Sequence, residues 1–355
     1  MAAVTIALKD LRLLARDRVA LFWVLGFPLL FALLFGSVLS AAADDSGRTF
    51  NLVLVDDVDS PQSRALLAAL ASAPGFSTER ASRDAAHTLV RRGERLAFVR
   101  VRDVSGELGL ELGVDPTRAG ESRALSAALA RVTIPSDGAG ALPPLSIDTT
   151  EVGRTSEDSS FAIAFPAALL WGLMGSAATF AVSWVAERTR GTDLRLRSAP
   201  ISGATVLAGK ALACFLACLL GSGVLVVFGW AALGIVAGSW LAVVASVVSI
   251  ALCFVGLTTL LGMLGRTEQA VAGAGWATLI LLAMLGGAMV PLAAMPDWLR
   301  RASDVSPVKW GISALEGAYF RDFSGLELLG PCAVLLGVGV ASFALGLELM
   351  ARRAR

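Results

Sequence analysis

Chemistry in this 355-residue sequence would have to come from four cysteines, one histidine and one Gly-Lys string. Cys214 and Cys218 stand four apart, on one face of a helix, a spacing that could hold a soft metal. Both lie in an apolar run, as do Cys253 and Cys332, and there a small thiol reads as a packing residue. A disulfide framework or Cys-rich zinc site is not expected. His87 is the sole histidine, so a multi-His metal site is out. The Gly-Lys string runs from Gly203 to Ala211. A phosphate-binding loop has four residues between its glycines and a hydroxyl after its lysine; here there are five, and Ala211 follows Lys210. The sequence therefore offers no catalytic set, no metal site and no way of its own to bind or hydrolyse ATP.

The elements around these residues are apolar. Hydrophobic residues make up 55% of the chain and charged residues 17%, against roughly 25% in soluble domains. Mean hydropathy is +0.70. A lone soluble domain, a disordered chain and a collagen-like chain are excluded. Six runs are long enough to span a bilayer, near 20–42, 161–186, 206–230, 240–264, 270–292 and 326–350. The first follows a basic stretch and ends in Ala41–Ala43, like a signal peptide. It is about twice the length of a usual signal core, so an uncleaved anchor is expected. The acids near spans, Glu187, Glu268, Glu327 and Glu348, sit at their ends, with no charge at a predicted midplane. Ion-coupled transport and a membrane-embedded enzyme are therefore disfavoured.

Lysine and arginine set the orientation. With the N-terminus inside, thirteen of them fall on the cytoplasmic side and four in the short outer loops, so both termini are expected in the cytoplasm. Segment 44–158 then lies outside. It carries 13 arginines and 18 acids, a net of −5, whereas the rest of the chain is +6. The overall net of +1 gives no basic field for nucleic acid. The outer segment reads as α/β: strands at Phe50–Val55, Ala97–Val101 and Leu108–Val114, helices at Pro61–Ala73, Ser82–Arg92 and Thr117–Val132, and a linker from Pro143 to Ser160. The expected fold is an α-helical polytopic membrane protein with six transmembrane helices and an inserted α/β extracytoplasmic domain. Its parts are an N-terminal interfacial helix (1–19), the first span (20–42), the outer domain (43–160) and a five-span bundle (161–355).

Val4–Arg18 is amphipathic, with Lys9, Asp10, Arg12, Arg16 and Asp17 on its polar side, and is expected to lie along the inner membrane surface. Trp23, Trp184, Trp230 and Trp240 fall near span ends and Trp298 and Trp310 in the last outer loop, which suits interfacial belts. Trp171 and Trp276 fall mid-span and could line a path or pack in the core. The string from Glu187 to Ser202 reads as a short amphipathic helix that could pass force from a docked partner, or as an ordinary basic loop.

That string resembles the coupling region of ABC-2 type transporter permeases: Glu187-Arg188, Gly191-Thr192, Leu194, Leu196, Pro200-Ile201-Ser202, then Gly209-Lys210. A second stretch is similar to the family's outer re-entrant segment (291–322): Gly286-Gly287, Pro291, Met295-Pro296, Trp298-Leu299, Ser306-Pro307, Trp310 and Ala314-Leu315. The large insertion points to the subgroup with an outer domain. The resemblance implies a permease in the bacterial cytoplasmic (inner) membrane, powered by separate ABC ATPase subunits. Those subunits carry the ATP and Mg²⁺; this chain binds no cofactor. They would dock on loop 187–203 and the N-terminal helix, through Leu194 and Leu196, with Arg195 and Arg197 contacting either the ATPase or anionic lipid. Glu187 would orient the loop by pairing with Arg188, Arg190 or the partner, and Gly191 would permit a tight approach or turn. A second permease, as homodimer or sister subunit, is implied as well. Trp171, Gly172, Gly175 and Ser176 on the second span, with Trp276, Gly286 and Gly287 on the fifth, are candidates for the path or the dimer interface. Their apolar character favours export of a hydrophobic or amphiphilic cargo, a lipid or drug-like molecule. For the outer domain, a solvated acidic face stands beside contact with a periplasmic or cell-wall partner. A non-transporting sensor or scaffold is the alternative function.

Overall fold

A computed structural model describes residues 1–42, 50–104, 107–115, 122, 124–129, 147–151, 160–191, 202–265, 267–290, 292 and 295–354. Helix α1 is Ala2–Arg16. It ends at Asp17, whose extended backbone turns the chain and whose carboxylate accepts from the amides of Val19 and Ala20. Asp17 thus caps α2 (Arg18–Leu21). One π-helical turn, Phe22–Gly26, leads into α3 (Phe27–Ala42), and these pieces form the first span.

The other spans are α6 (Ser160–Thr189), α7 (Gly203–Leu233), α8 (Trp240–Leu264), α9 (Glu268–Gly286) and α12 (Gly325–Ala354). All six are long and apolar enough to cross a bilayer. Between α9 and α12 lie two short helices, α10 (Asp297–Ala302) and α11 (Pro307–Tyr319). Pro307 occupies the first turn of α11, where no amide partner is needed. Helix α11 is buried against α6, α8, α9 and α12. The centre of the bundle is α6, whose apolar window is 89% buried against 28% for α9 and α12.

Between α3 and α6 stands a five-stranded mixed sheet in the order β2-β1-β3-β4-β5. Its strands are β1 (Phe50–Asp56), β2 (Phe76–Arg80), β3 (Ala97–Val104), β4 (Glu107–Val114) and β5 (Ile147–Glu151). Strands β3 and β4 pair antiparallel; the other pairs are parallel. Helix α4 (Pro61–Ser72) opens on a capping box formed by Ser60 and Ser63, and α5 (Arg83–Arg91) on Ser82. Residues 124–129 are also helical. Leu52 and Leu54 pack on one sheet face with Leu66, Leu67, Leu70, Leu125 and Leu129; Val53 and Val55 pack on the other with Ala86 and Val90.

Two strands depart from the sequence reading. β2 is FSTER and falls between expected elements; β5 is IDTTE and occupies part of the expected linker. Both are edge strands with little apolar content, so alternation cannot reveal them. The helix expected over Thr117–Val132 lies largely outside the described residues.

The spans alternate in direction. The α/β domain, α10 and α11 therefore sit at one end of the bundle. Helix α1, the α6–α7 connection and the α8–α9 turn sit at the other.

Candidate coupling site

At the end away from the α/β domain, four charged side chains meet. Lys9 Nζ lies 2.7 Å from Glu187 Oε1 and 3.0 Å from Asp10. Lys210 Nζ lies 2.7 Å from Glu187 Oε2 and 3.5 Å from Asp10. Two cations face two carboxylates, and the pairs join α1, α6 and α7. Asp10 and Lys210 are buried, with side-chain exposures of 2% and 6%. Charges in so dry a place must be paired, because an unpartnered one costs several kcal/mol. Burial works against the Lys9 charge, but hydrogen bonds to Glu187 and Asp10, with their charges, outweigh it and hold the ammonium above its ordinary 10.5. The Trp184 ring lies 5.9 Å from both Lys210 Nζ and the Arg188 guanidinium.

This arrangement corrects two expectations. Glu187 does not turn to Arg188 or Arg190. Arg188 donates to the Gly262 carbonyl at 2.8 Å, at the end of α8, and Arg190 pairs with Glu268 at the start of α9. Both arginines therefore tie α6 to the α8–α9 turn, and Glu187 is left to the lysines. Asp10 belongs to the polar side of the amphipathic pattern, yet it is buried because Lys210 faces it across the α1–α7 contact. There Gly209 approaches so closely that a Cβ would stand 2.8 Å from the Ala3 carbonyl oxygen. Ile6 and Ala7 are buried in the same contact, while Leu8 and Leu13 are exposed. Helix α1 is thus bound to α7 along one face, as well as offering apolar residues elsewhere.

Gly191 ends α6 at φ +73°, a left-handed turn conformation suited to glycine, and nothing would touch a Cβ there. Thr192, Leu194, Arg195, Leu196, Arg197 and Pro200 lie outside the described residues, and so does Pro291. Ser202 caps α7 through the amide of Thr205.

Of the candidate path residues, Trp171, Gly172, Gly175, Ser176 and Gly286 are buried within the chain, while Trp276 and Gly287 are half-buried. Trp171 is buried, donates to the Ala288 carbonyl at 3.3 Å and touches Phe27 and Phe31. A Cβ on Gly175 would strike the Trp23 carbonyl, and one on Gly172 would meet Leu225 at 2.9 Å. These glycines let α6 approach the π turn of the first span. Ser176 donates back to the Gly172 carbonyl. Trp276 packs against Trp23 with ring centroids 4.8 Å apart and the planes tilted by 50°. Gly286 admits Val308 and Lys309 of α11, and Gly287 caps α9 at φ +94°.

At the opposite end, Pro296 precedes α10, Trp298 is exposed, and Trp310 donates to the Asp304 carbonyl. The α/β domain is fastened here by Arg321, which is buried. It pairs with Asp115 at 3.2 Å and Glu316 at 2.9 Å, and donates to the carbonyls of Val90 and Arg91. Arg91 pairs with Glu327, and Arg300 donates to the Glu94 carbonyl. Sequence reasoning missed Lys9, Asp10, Arg321 and Asp115 as site residues. Lys210 gave a usable signal, since a lysine inside an apolar run demands a carboxylate somewhere.

The family model described as ABC-2 family transporter protein matches residues 18–347. Linearmycin resistance permease protein LnrN of Bacillus subtilis (strain 168) is 27% identical over 202 residues, which is 57% of this chain and 51% of the relative. The chain thus aligns with about half the length of that curated relative.

Proposed function

The chain belongs to the ABC-2 transporter family, and from that premise we propose that it is the permease subunit of an ATP-driven exporter of hydrophobic or amphiphilic molecules. Membership makes it a multi-pass transport permease and implies an ABC ATPase as partner. The observation that carries the finer reading is the ion network of Lys9, Asp10, Glu187 and Lys210. It binds α1 and the C-terminal turn of α6 to the first turns of α7, on both sides of the 192–201 connection. A push on that connection or on α1 would then reach the central, most buried span and one of its neighbours together.

In this reading the ATPase pair sits on the cytoplasmic side, holds the ATP and Mg²⁺, and closes when ATP binds. The 187–203 loop and α1 receive that motion, and the spans switch between inward- and outward-facing states in a dimer of permeases. Export fits the relative's name, since a permease that confers resistance to a compound does so most directly by moving it out. An apolar path fits the bland central span.

Pull-down of the tagged full chain from its own membranes is the test. An ABC ATPase should come with it, and the reconstituted complex should move a fluorescent amphiphile only when ATP is hydrolysed. Glu187→Ala combined with Leu194→Ala should leave hydrolysis running while transport falls. Unchanged transport in that variant would remove the loop from the coupling route. Capture of no ATPase, with ligand binding by the α/β domain, would favour the sensor or scaffold reading.

A further inference from the structure

A cavity of about 690 Å³ lies where the α/β domain meets α10, α11 and the first turns of α12. That is the size of a small-molecule site. Its walls divide by chemistry. Leu89, Leu292, Trp310, Phe323, Leu326 and Pro331 supply apolar surface. Five carboxylates also face it, but four are already paired: Glu79 with Arg95, Asp304 with Lys309, Glu316 with Arg321 and Glu327 with Arg91. Two guanidinium groups in the lining, those of Arg92 and Arg301, have no side-chain partner among the described residues, and both residues are exposed. Glu94 is the one lining carboxylate without a partner among the described residues. The uncommitted charge of these three groups is therefore +1.

Place decides what could use such a cavity. Leu326 at its edge is 82% exposed, and the exposed residues Leu329, Leu336 and Val340 continue from it along one face of α12. Alone, that face is ordinary bilayer contact. The charged cavity stands where it ends, at the level where head groups lie. Arginine matches phosphate oxygens with paired N–H donors, so two guanidinium groups without a side-chain partner at the end of a span suit an acidic head group.

We propose that this cavity binds the phosphate head of an anionic membrane lipid, held by Arg92 and Arg301, with its acyl chains lying on the Leu326–Val340 face of α12. The lipid would bridge the α/β domain, which supplies Arg92, and α10, which supplies Arg301. The inference does not depend on transport and is tested without it.

The full chain is reconstituted in phosphatidylcholine nanodiscs with a trace of photoactivatable phosphatidylglycerol, and the labelled peptides are identified. The start of α12 and the Arg92 and Arg301 peptides should be labelled above the mid-span background. R92Q combined with R301Q should lower that labelling about tenfold, the scale of one lost charge-assisted hydrogen bond. R92K combined with R301K should retain most of it. Both residues are exposed and unpaired, so thermal unfolding should not move. Equal labelling by photoactivatable phosphatidylcholine, or labelling indifferent to R92Q/R301Q, would overturn the proposal. Displacement by inorganic phosphate at a concentration no higher than that of the labelled lipid would overturn it too, because the tail would then contribute nothing.

Discussion

Lys210 carries a charge into the second turn of an apolar span, and the carboxylates of Asp10 and Glu187 make that tolerable. Removing the lysine would leave Lys9 to answer two carboxylates, one of them almost fully buried. Lys210→Met should therefore cost about 3–5 kcal/mol, the usual scale for breaking a buried pair from one side. Thermal unfolding of the purified chain gives the magnitude, and faster proteolysis within Ala2–Arg16 would show that α1 has come away. Asp10→Asn together with Lys210→Met should restore part of the loss, and an equal or larger loss in the double variant would mean that the network does not hold α1. The pH dependence follows from Lys9. Its folded pKa is raised above 10.5, so its contribution is fully present below that value and fades as pH rises through the folded pKa. Hydrogen exchange in α1 should be steady, once corrected for intrinsic rates, from neutral pH to about 10 and should rise beyond it; Lys9→Met should flatten that alkaline rise. Residue identity alone led to Glu187 through a family resemblance. It did not lead to Asp10, because its partner Lys210 lies 200 residues away and an amphipathic pattern assigns a carboxylate to the wet side.

Helices in a bilayer gain little from burying apolar surface against one another, so close backbone approach decides their packing. The most extensive helix pair here is α8 with α12. Gly256 and Gly339 face each other across it: a Cβ on Gly339 would stand 2.9 Å from the Leu252 carbonyl oxygen and from the Cys253 Cα, both backbone atoms that cannot step aside. Gly339→Ala should lower stability by about 1–3 kcal/mol through overpacking. Gly273→Ala, on the exposed side of α9 with nothing within reach of a Cβ, should change the unfolding temperature little. If the two variants unfold alike, the α8–α12 contact is not limited by its glycines. The spans themselves were readable, because length and hydropathy are properties of the chain. So were β1, β3 and β4, whose cores are apolar. Partner choice was not. Gly172 and Gly175 read as candidates for the path or the dimer interface, and only the fold reveals that they face the π turn of the first span, while the Gly256–Gly339 contact left no sign at all. A small residue announces that something comes close without saying what.

At the scale of the whole molecule, two polar assemblies mark the two ends of an apolar body. One ties α1 to α6 and α7; the other fastens the α/β domain through Arg321, buried against Asp115 and Glu316. Arg321→Leu would take a buried guanidinium away from the Asp115 and Glu316 carboxylates, so the domain should loosen by about 3–5 kcal/mol. Faster hydrogen exchange confined to Val90–Gly93 and Glu316–Arg321 would show it, whereas exchange rising equally in the far bundle would mean global damage instead. The excess of lysine and arginine in the short connections at the α1 end is the ground on which we propose that this end faces the cytoplasm. The proposed function depends on that orientation, because an ATPase could reach only the cytoplasmic end. The four native cysteines are buried, so single introduced thiols can report sidedness against a low background. Ser72→Cys, exposed on α4, should react with a membrane-impermeant maleimide in cells whose cytoplasmic membrane is intact and reachable by the reagent. Thr5→Cys, exposed on α1, should react only after that membrane is permeabilised. The reverse pattern would put the Lys9–Asp10–Glu187–Lys210 network on the side without ATP, and the coupling role proposed for it would fall together with the orientation.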